Sequence, residues 1–281
     1  MRAGLDYAVF GAIRVLAAGA SFLGALYLLA AGRAEAFGAF LVALSLSLVV
    51  AAALRLGADR TLVRLSRRPV AAAEARDPRA RVYRTWLPAA ALALLAAAAL
   101  WPVWSAGAFY LSQGAVLALL HVTGRFLRAC GRPRPAVVVD PGMMPAAGTL
   151  LLCAGFSAPA SLALGGVLLL TLSALAIRLA VPASLVAAVL RARPRRRVRP
   201  RRLVEVYQNY AIELTFRDGV NLALAWAVSP IALAQFRTLM KLNFVIEQAQ
   251  EFQKQFRIGA PRAERAELAP RAGALARALA A

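Results

Sequence analysis

The chain has 281 residues, 61% of them hydrophobic, and a formal net charge of +21, with a mean hydropathy of +0.64. Soluble domains carry roughly 45–50% apolar residues, so this composition excludes an ordinary soluble domain. The charge would suit nucleic-acid binding, but no aromatic side chains are interleaved with the arginines to stack bases, and no nucleic-acid partner is expected.

In chain order the apolar residues fall into six blocks, near 8–31, 36–54, 85–104, 106–124, 141–158 and 160–180. Each reaches the length of about 17–25 residues that a bilayer-spanning helix needs. The first block contains Arg14. Its apolar stretch runs 17 residues past that arginine and five more blocks follow, so it reads as a signal anchor and not as a cleaved leader. The fifth block opens on DPGMMP at 140–145, with prolines and glycine crowding its start. The sixth carries Arg178 near its end.

The connections alternate in charge. Segments 55–84, 125–134 and 191–202 hold nine, four and eight arginines; the intervening 32–35, 105–107 and 157–159 hold only Arg33. Positively charged loops are retained on the cytoplasmic side. The pattern predicts a multi-pass membrane protein with a cytoplasmic N-terminus. The run RARPRRRVRPRR at 191–202 then reads as a topology anchor beside anionic lipid headgroups. Cys130 and Cys153 sit at a cytoplasmic edge and within a span, which does not indicate a disulfide framework.

Beyond the basic loop, 203–257 is rich in glutamine and holds one apolar run, GVNLALAWAVSPIALA at 219–234, followed by an amphipathic helical pattern. Residues 258–281 read as a disordered tail. SPIALAQFRTLMKL (229–242) repeats the layout of GRAEAFGAFLVALSL (32–46), aligning Phe40 with Phe236. A second copy of a six-helix unit in parallel orientation would begin at this point.

The first-span turn LLAAGRAEAFGAFLVALSL, the second-span end AALRLGADRTLVRL (52–65) and the fourth-span exit GRFLRACGRPRPA (124–136) carry a family resemblance. In their order and spacing they resemble the polysaccharide and oligosaccharide-lipid flippases of the multidrug/oligosaccharidyl-lipid/polysaccharide exporter superfamily. The resemblance implies an all-α integral membrane fold: a six-transmembrane-helix lobe over 1–190, then the first one to two helices of a second lobe over 203–257. Family members have two six-helix lobes around a central cavity, so the chain reads as a truncated N-terminal lobe. It would be a truncated gene product, a fragment, or a half-transporter that pairs with a separate second lobe or as a homodimer.

The resemblance implies transport of a lipid-linked oligosaccharide or polysaccharide precursor across the membrane by alternating access. The candidate substrate-binding residues are Arg14, Gln113, His121 and Arg178, with Asp140 as the ion-coupling residue. Each has a second reading. Arg14 shares a helical stripe with Gly11, Ala18 and Ser21, and matches the cation that such flippases commonly place in the first helix. It equally suits a snorkelling inner end. Tyr110, Gln113, Leu117, His121, Gly124 and Arg128 fall within an arc of about 80° on the fourth span, facing either a cavity or neighbouring helices. Asp140 is either a cation site in a broken helix or an N-cap ahead of Pro141. Arg178 lies deep in its span or at the inner interface. Arg55 and Asp59 stand at helical spacing for a local ion pair.

No cofactor or metal is expected, because no cluster of His, Cys or carboxylates appears. A membrane transferase would need paired acids near the inner face, and Asp59, Glu74, Asp77 and Asp140 form no such motif, so no enzyme activity is expected. The remaining alternative is a non-transporting subunit of a glycan-synthesis complex.

Overall fold

The computed structural model describes residues 2–66, 78–192 and 219–240. Most of the basic loop 191–202, the tail 258–281, the rest of 203–257 and Arg67, Arg68 and Arg76 lie outside the described residues. Every regular element among those described is helical. The order is α1 (Arg2–Ala30), α2 (Ala34–Leu54), α3 (Ala58–Ser66), α4 (Pro78–Leu100), α5 (Ser105–Ala129), α6 (Pro133–Val138), a 3-10 turn (Pro141–Met143), α7 (Met144–Cys153), α8 (Ala158–Ala180), α9 (Ala183–Arg191), α10 (Val220–Ala227) and α11 (Pro230–Met240).

Gly11–Ala30 of α1 and the whole of α2, α4, α5 and α8 are long and apolar enough to cross a membrane. Their alanines and leucines are strong helix formers, and a helix satisfies every backbone group without water. The outward faces stay apolar: Leu92, Leu95, Val167, Leu175 and Leu179 are all more than half exposed. Such a continuous apolar surface would aggregate in water but matches lipid tails. This is an all-α, multi-pass membrane protein.

Lipid tails are as apolar as leucine, so helices join in a bilayer by close packing of small residues. On α4, Ala90, Ala93 and Ala97 are buried where that helix packs against α5. Gly114 of α5 meets Val50 of α2, and Gly148 of α7 takes the ring of Phe40.

The fifth apolar block departs from expectation. It is not one span but the short helix α7, preceded by α6 and the 3-10 turn. The reason is local: Pro141 and Pro145 lack N–H donors, so no single ladder runs through DPGMMP. The pieces nonetheless advance beside α1 in its own direction. Asp140 pairs with Arg14, Gly24 packs against Thr149 and Cys153, and Arg33 Nη1 donates to the Leu152 carbonyl at 2.6 Å.

The described part of 203–257 lies on this same body. A Cβ on Gly38 of α2 would overlap the Pro230 carbonyl at the start of α11, so glycine permits that contact. Asn221 Nδ2 donates to Ser45 Oγ at 3.1 Å, and Arg237 Nε donates to Asn221 Oδ1. Phe40 and Phe236, aligned in the sequence repeat, have unlike surroundings. Phe40 is 0% exposed and Phe236 37%.

Candidate functional site: two ionic clusters along α5

The stripe read from the sequence of α5 turns inward. Gln113, Leu117, Gly124 and Arg128 are buried, and Tyr110 and His121 partly so. Two ionic clusters form along it where charged residues from other helices come in.

The first cluster sits at the break before α7. Arg14 Nη2 lies 2.7 Å and Arg128 Nη1 3.4 Å from the same oxygen, Asp140 Oδ2. The other oxygen, Oδ1, accepts from the Gly142 N–H at 2.9 Å, so Asp140 also caps the 3-10 turn. Oδ1 thus makes the N-cap contact and Oδ2 takes the two guanidiniums. Arg128 Nε donates to the Gly124 carbonyl at 3.2 Å, which holds that guanidinium against its own helix. Side-chain exposure is only 8% for Asp140 and 3% for Arg128. The Arg14 and Arg128 guanidiniums and the Gly142 N–H surround this buried carboxyl with donors. Two guanidiniums thus converge on one carboxylate oxygen. Gly142 beside it is exposed.

The second cluster forms where α2 turns into α3. Leu56 (φ +50) and Gly57 (φ +71) take left-handed conformations there, folding Arg55 and Asp59 back toward α5. Arg55 Nη1 lies 3.4 Å from Asp59 Oδ2, as the helical spacing predicted. His121 Nε2 reaches that same oxygen at 3.4 Å and Arg55 Nη1 at 3.3 Å. Asp59 Oδ1 accepts from the Arg60 N–H at 2.8 Å. Trp86 of α4 fixes the elbow by donating Nε1–H to the Leu54 carbonyl at 2.8 Å. One turn away on α4, the Tyr83 hydroxyl is 2.7 Å from Thr123 Oγ1, and its ring stacks on Phe126 with centroids 4.6 Å apart.

No family model, curated protein or solved structure matches this chain. The chemistry of the two clusters therefore rests on their own geometry.

Of the five residues named from sequence, Arg14 and Asp140 meet directly, and His121 stands on the same face of α5 as their third partner, Arg128. Gln113 lies farther along that face toward the start of α5, where it packs against Gly166 of α8. Its buried Oε1 has no hydrogen-bond partner among the described residues. Arg178 is exposed in the last turn of α8 and joins neither cluster. Sequence reasoning did not name Arg128 or Asp59 as site residues. The signal for Arg128 was present, since it closes the stripe that contains His121. For Asp59 the local pairing with Arg55 was a sufficient reading, and nothing pointed to α5, 62 residues away at His121.

The arrangement suits electrostatics more than bond chemistry. Its carboxylates face arginines and no nucleophile stands beside a base. What it offers is a fixed, partly neutralised cation beside irregular backbone, which within a membrane protein belongs against other protein or a wet cavity.

Proposed function

We propose that this chain is one lobe of a flippase that carries a lipid-linked oligosaccharide or polysaccharide precursor across the cytoplasmic membrane by alternating access. The observation that carries this reading is the Arg14–Asp140–Arg128 cluster, where two arginines converge on one carboxylate at a helix break. A lipid-linked glycan brings a large polar headgroup and an anionic phosphate linker into low-dielectric surroundings. A cation held there by a buried carboxylate can accept that linker, and fixing it in advance avoids reorganisation on binding. Broken helices with polar groups at the break are a recurring way for transporters to build a site. Gln113 offers an amide on the same helix for sugar hydroxyls, and Arg178 an exposed cation at the end of α8. The loop arginines support a cytoplasmic N-terminus. In this reading the partners are membrane lipid, the lipid-linked glycan, and a second lobe or second copy that closes the cavity.

The test is translocation of a fluorescent lipid-linked oligosaccharide in proteoliposomes, read by outer-leaflet quenching, with and without a candidate second lobe. Arg14→Ala is expected to abolish translocation at unchanged protein abundance, and Arg14→Lys to keep part of it. Equal rates for Arg14→Ala and the parent would remove the cluster from the pathway. Failure of every preparation to move lipid would favour a scaffolding subunit.

A further inference from the structure

His121 presents one nitrogen, Nε2, to two opposite partners. Arg55 Nη1, a donor, lies 3.3 Å away, and Asp59 Oδ2, an acceptor, lies 3.4 Å away. A single ring nitrogen cannot serve both. With a lone pair it accepts from Arg55; with a proton it donates to Asp59. The proton therefore decides which neighbour the ring holds.

We propose that His121 is a proton-binding site that switches the α2–α3 elbow between two ties to α5. In the neutral ring the proton sits on Nδ1 and Nε2 holds Arg55, at the end of α2. On protonation, Nε2–H turns to Asp59 in the first turn of α3, and Arg55 loses the ring as an acceptor. Protonation adds one positive charge to the cluster, and like charge now opposes Arg55 and the ring. Between the two partners stand Leu56 and Gly57 in left-handed conformations, so the exchange acts across a tight two-residue turn. The groups around the ring are consistent with this. Arg55 and Asp59 face it from the α2–α3 elbow and Arg125 from α5 itself. Asp140, from the turn before α7, senses its charge. Tyr83 on α4 is engaged by Thr123, two residues along α5. The ring is 21% exposed and Asp59 8%.

The site stands apart from the cargo proposed above, and its test uses no transport. His121 is the only histidine in the chain, so selective ¹⁵N-histidine labelling of the full chain after tag removal gives one imidazole. In detergent micelles at neutral pH, Nε2 should show the signal of an unprotonated acceptor and Nδ1 that of N–H; acidification should protonate Nε2. In Arg55→Met the neutral ring should change tautomer and carry its proton on Nε2, facing Asp59. Elbow movement is read from Trp86 after Trp101, Trp104 and Trp226 are changed to phenylalanine. Its emission should step over the same pH range and stay flat in His121→Gln. A neutral ring already protonated on Nε2, or a Trp86 step that survives His121→Gln or is absent from the parent, overturns the proposal. The ring measurement is made on the parent chain, so it does not depend on a variant folding.

Discussion

Arg14 on α1 and Asp140 at the break before α7 meet at 2.7 Å, although 126 positions separate them in the chain. Arg128 approaches the same carboxylate oxygen from α5. Asp140 is thus an anion shared by two buried or half-buried guanidiniums. Removing one partner of a buried ion pair leaves the other charge unpaid, at a cost of about 3–5 kcal/mol. Asp140→Ala should lower the thermal unfolding midpoint in detergent accordingly. Asp140→Leu combined with Arg14→Met should recover only part of the loss, because the buried Arg128 still loses this carboxylate. An unchanged midpoint for Asp140→Ala would contradict the buried cluster.

The long helices were legible because a run of apolar residues near bilayer length has few alternatives, and α1, α2, α4, α5 and α8 all formed from such runs. The fifth block met the same length rule and failed as a single helix because Pro141 and Pro145 interrupt its backbone ladder. The stripe on α5 was legible from period alone. Its partners were not: Asp140, Asp59 and Arg14 arrive from three other elements, and nothing in a helix's own periodicity says which distant charge it will meet. The Arg55–Asp59 pair could be read because both ends lie within one turn. His121 completed it from far along the chain. Arg178 shows the opposite case, where an arginine inside an apolar block is simply exposed at the helix end.

The elbow that carries Asp59 depends on Gly57 at φ +71. An L-residue in that conformation costs roughly 1–2 kcal/mol. Gly57→Ala should lower stability by that amount and loosen the Trp86 contact with the Leu54 carbonyl, visible as a red shift of Trp86 emission in the single-tryptophan background. An unaltered emission and midpoint would mean that the turn does not hold the elbow.

The contact between α2 and α10–α11 rests on Gly38 admitting Pro230 and on Asn221 reaching Ser45. With Cys130 and Cys153 replaced by alanine, S45C and N221C should form a disulfide under mild oxidation. Adding Gly38→Leu should suppress it, since a side chain there would occupy the space of the Pro230 carbonyl. Equal cross-linking with leucine at position 38 would show that α11 does not seat on α2 at that point.

The composite segment from Pro133 to Cys153 decides how the two ends of the bundle are arranged. If it crosses the membrane together with the five long helices, Ser105 and Ser157 lie on one face and Arg64 on the other. If it only dips in and returns, Ser157 joins Arg64. In the same cysteine-free background, S105C and S157C should react with a membrane-impermeant maleimide in intact cells, and R64C only after permeabilisation. Its progress beside α1, from Arg14 at Asp140 to Arg33 at Leu152, argues for a full crossing despite the broken ladder, because α1 spans with the same heading. Labelling of S105C without S157C would make the segment re-entrant. Labelling of R64C in intact cells would invert the chain and place its arginines on the outer face.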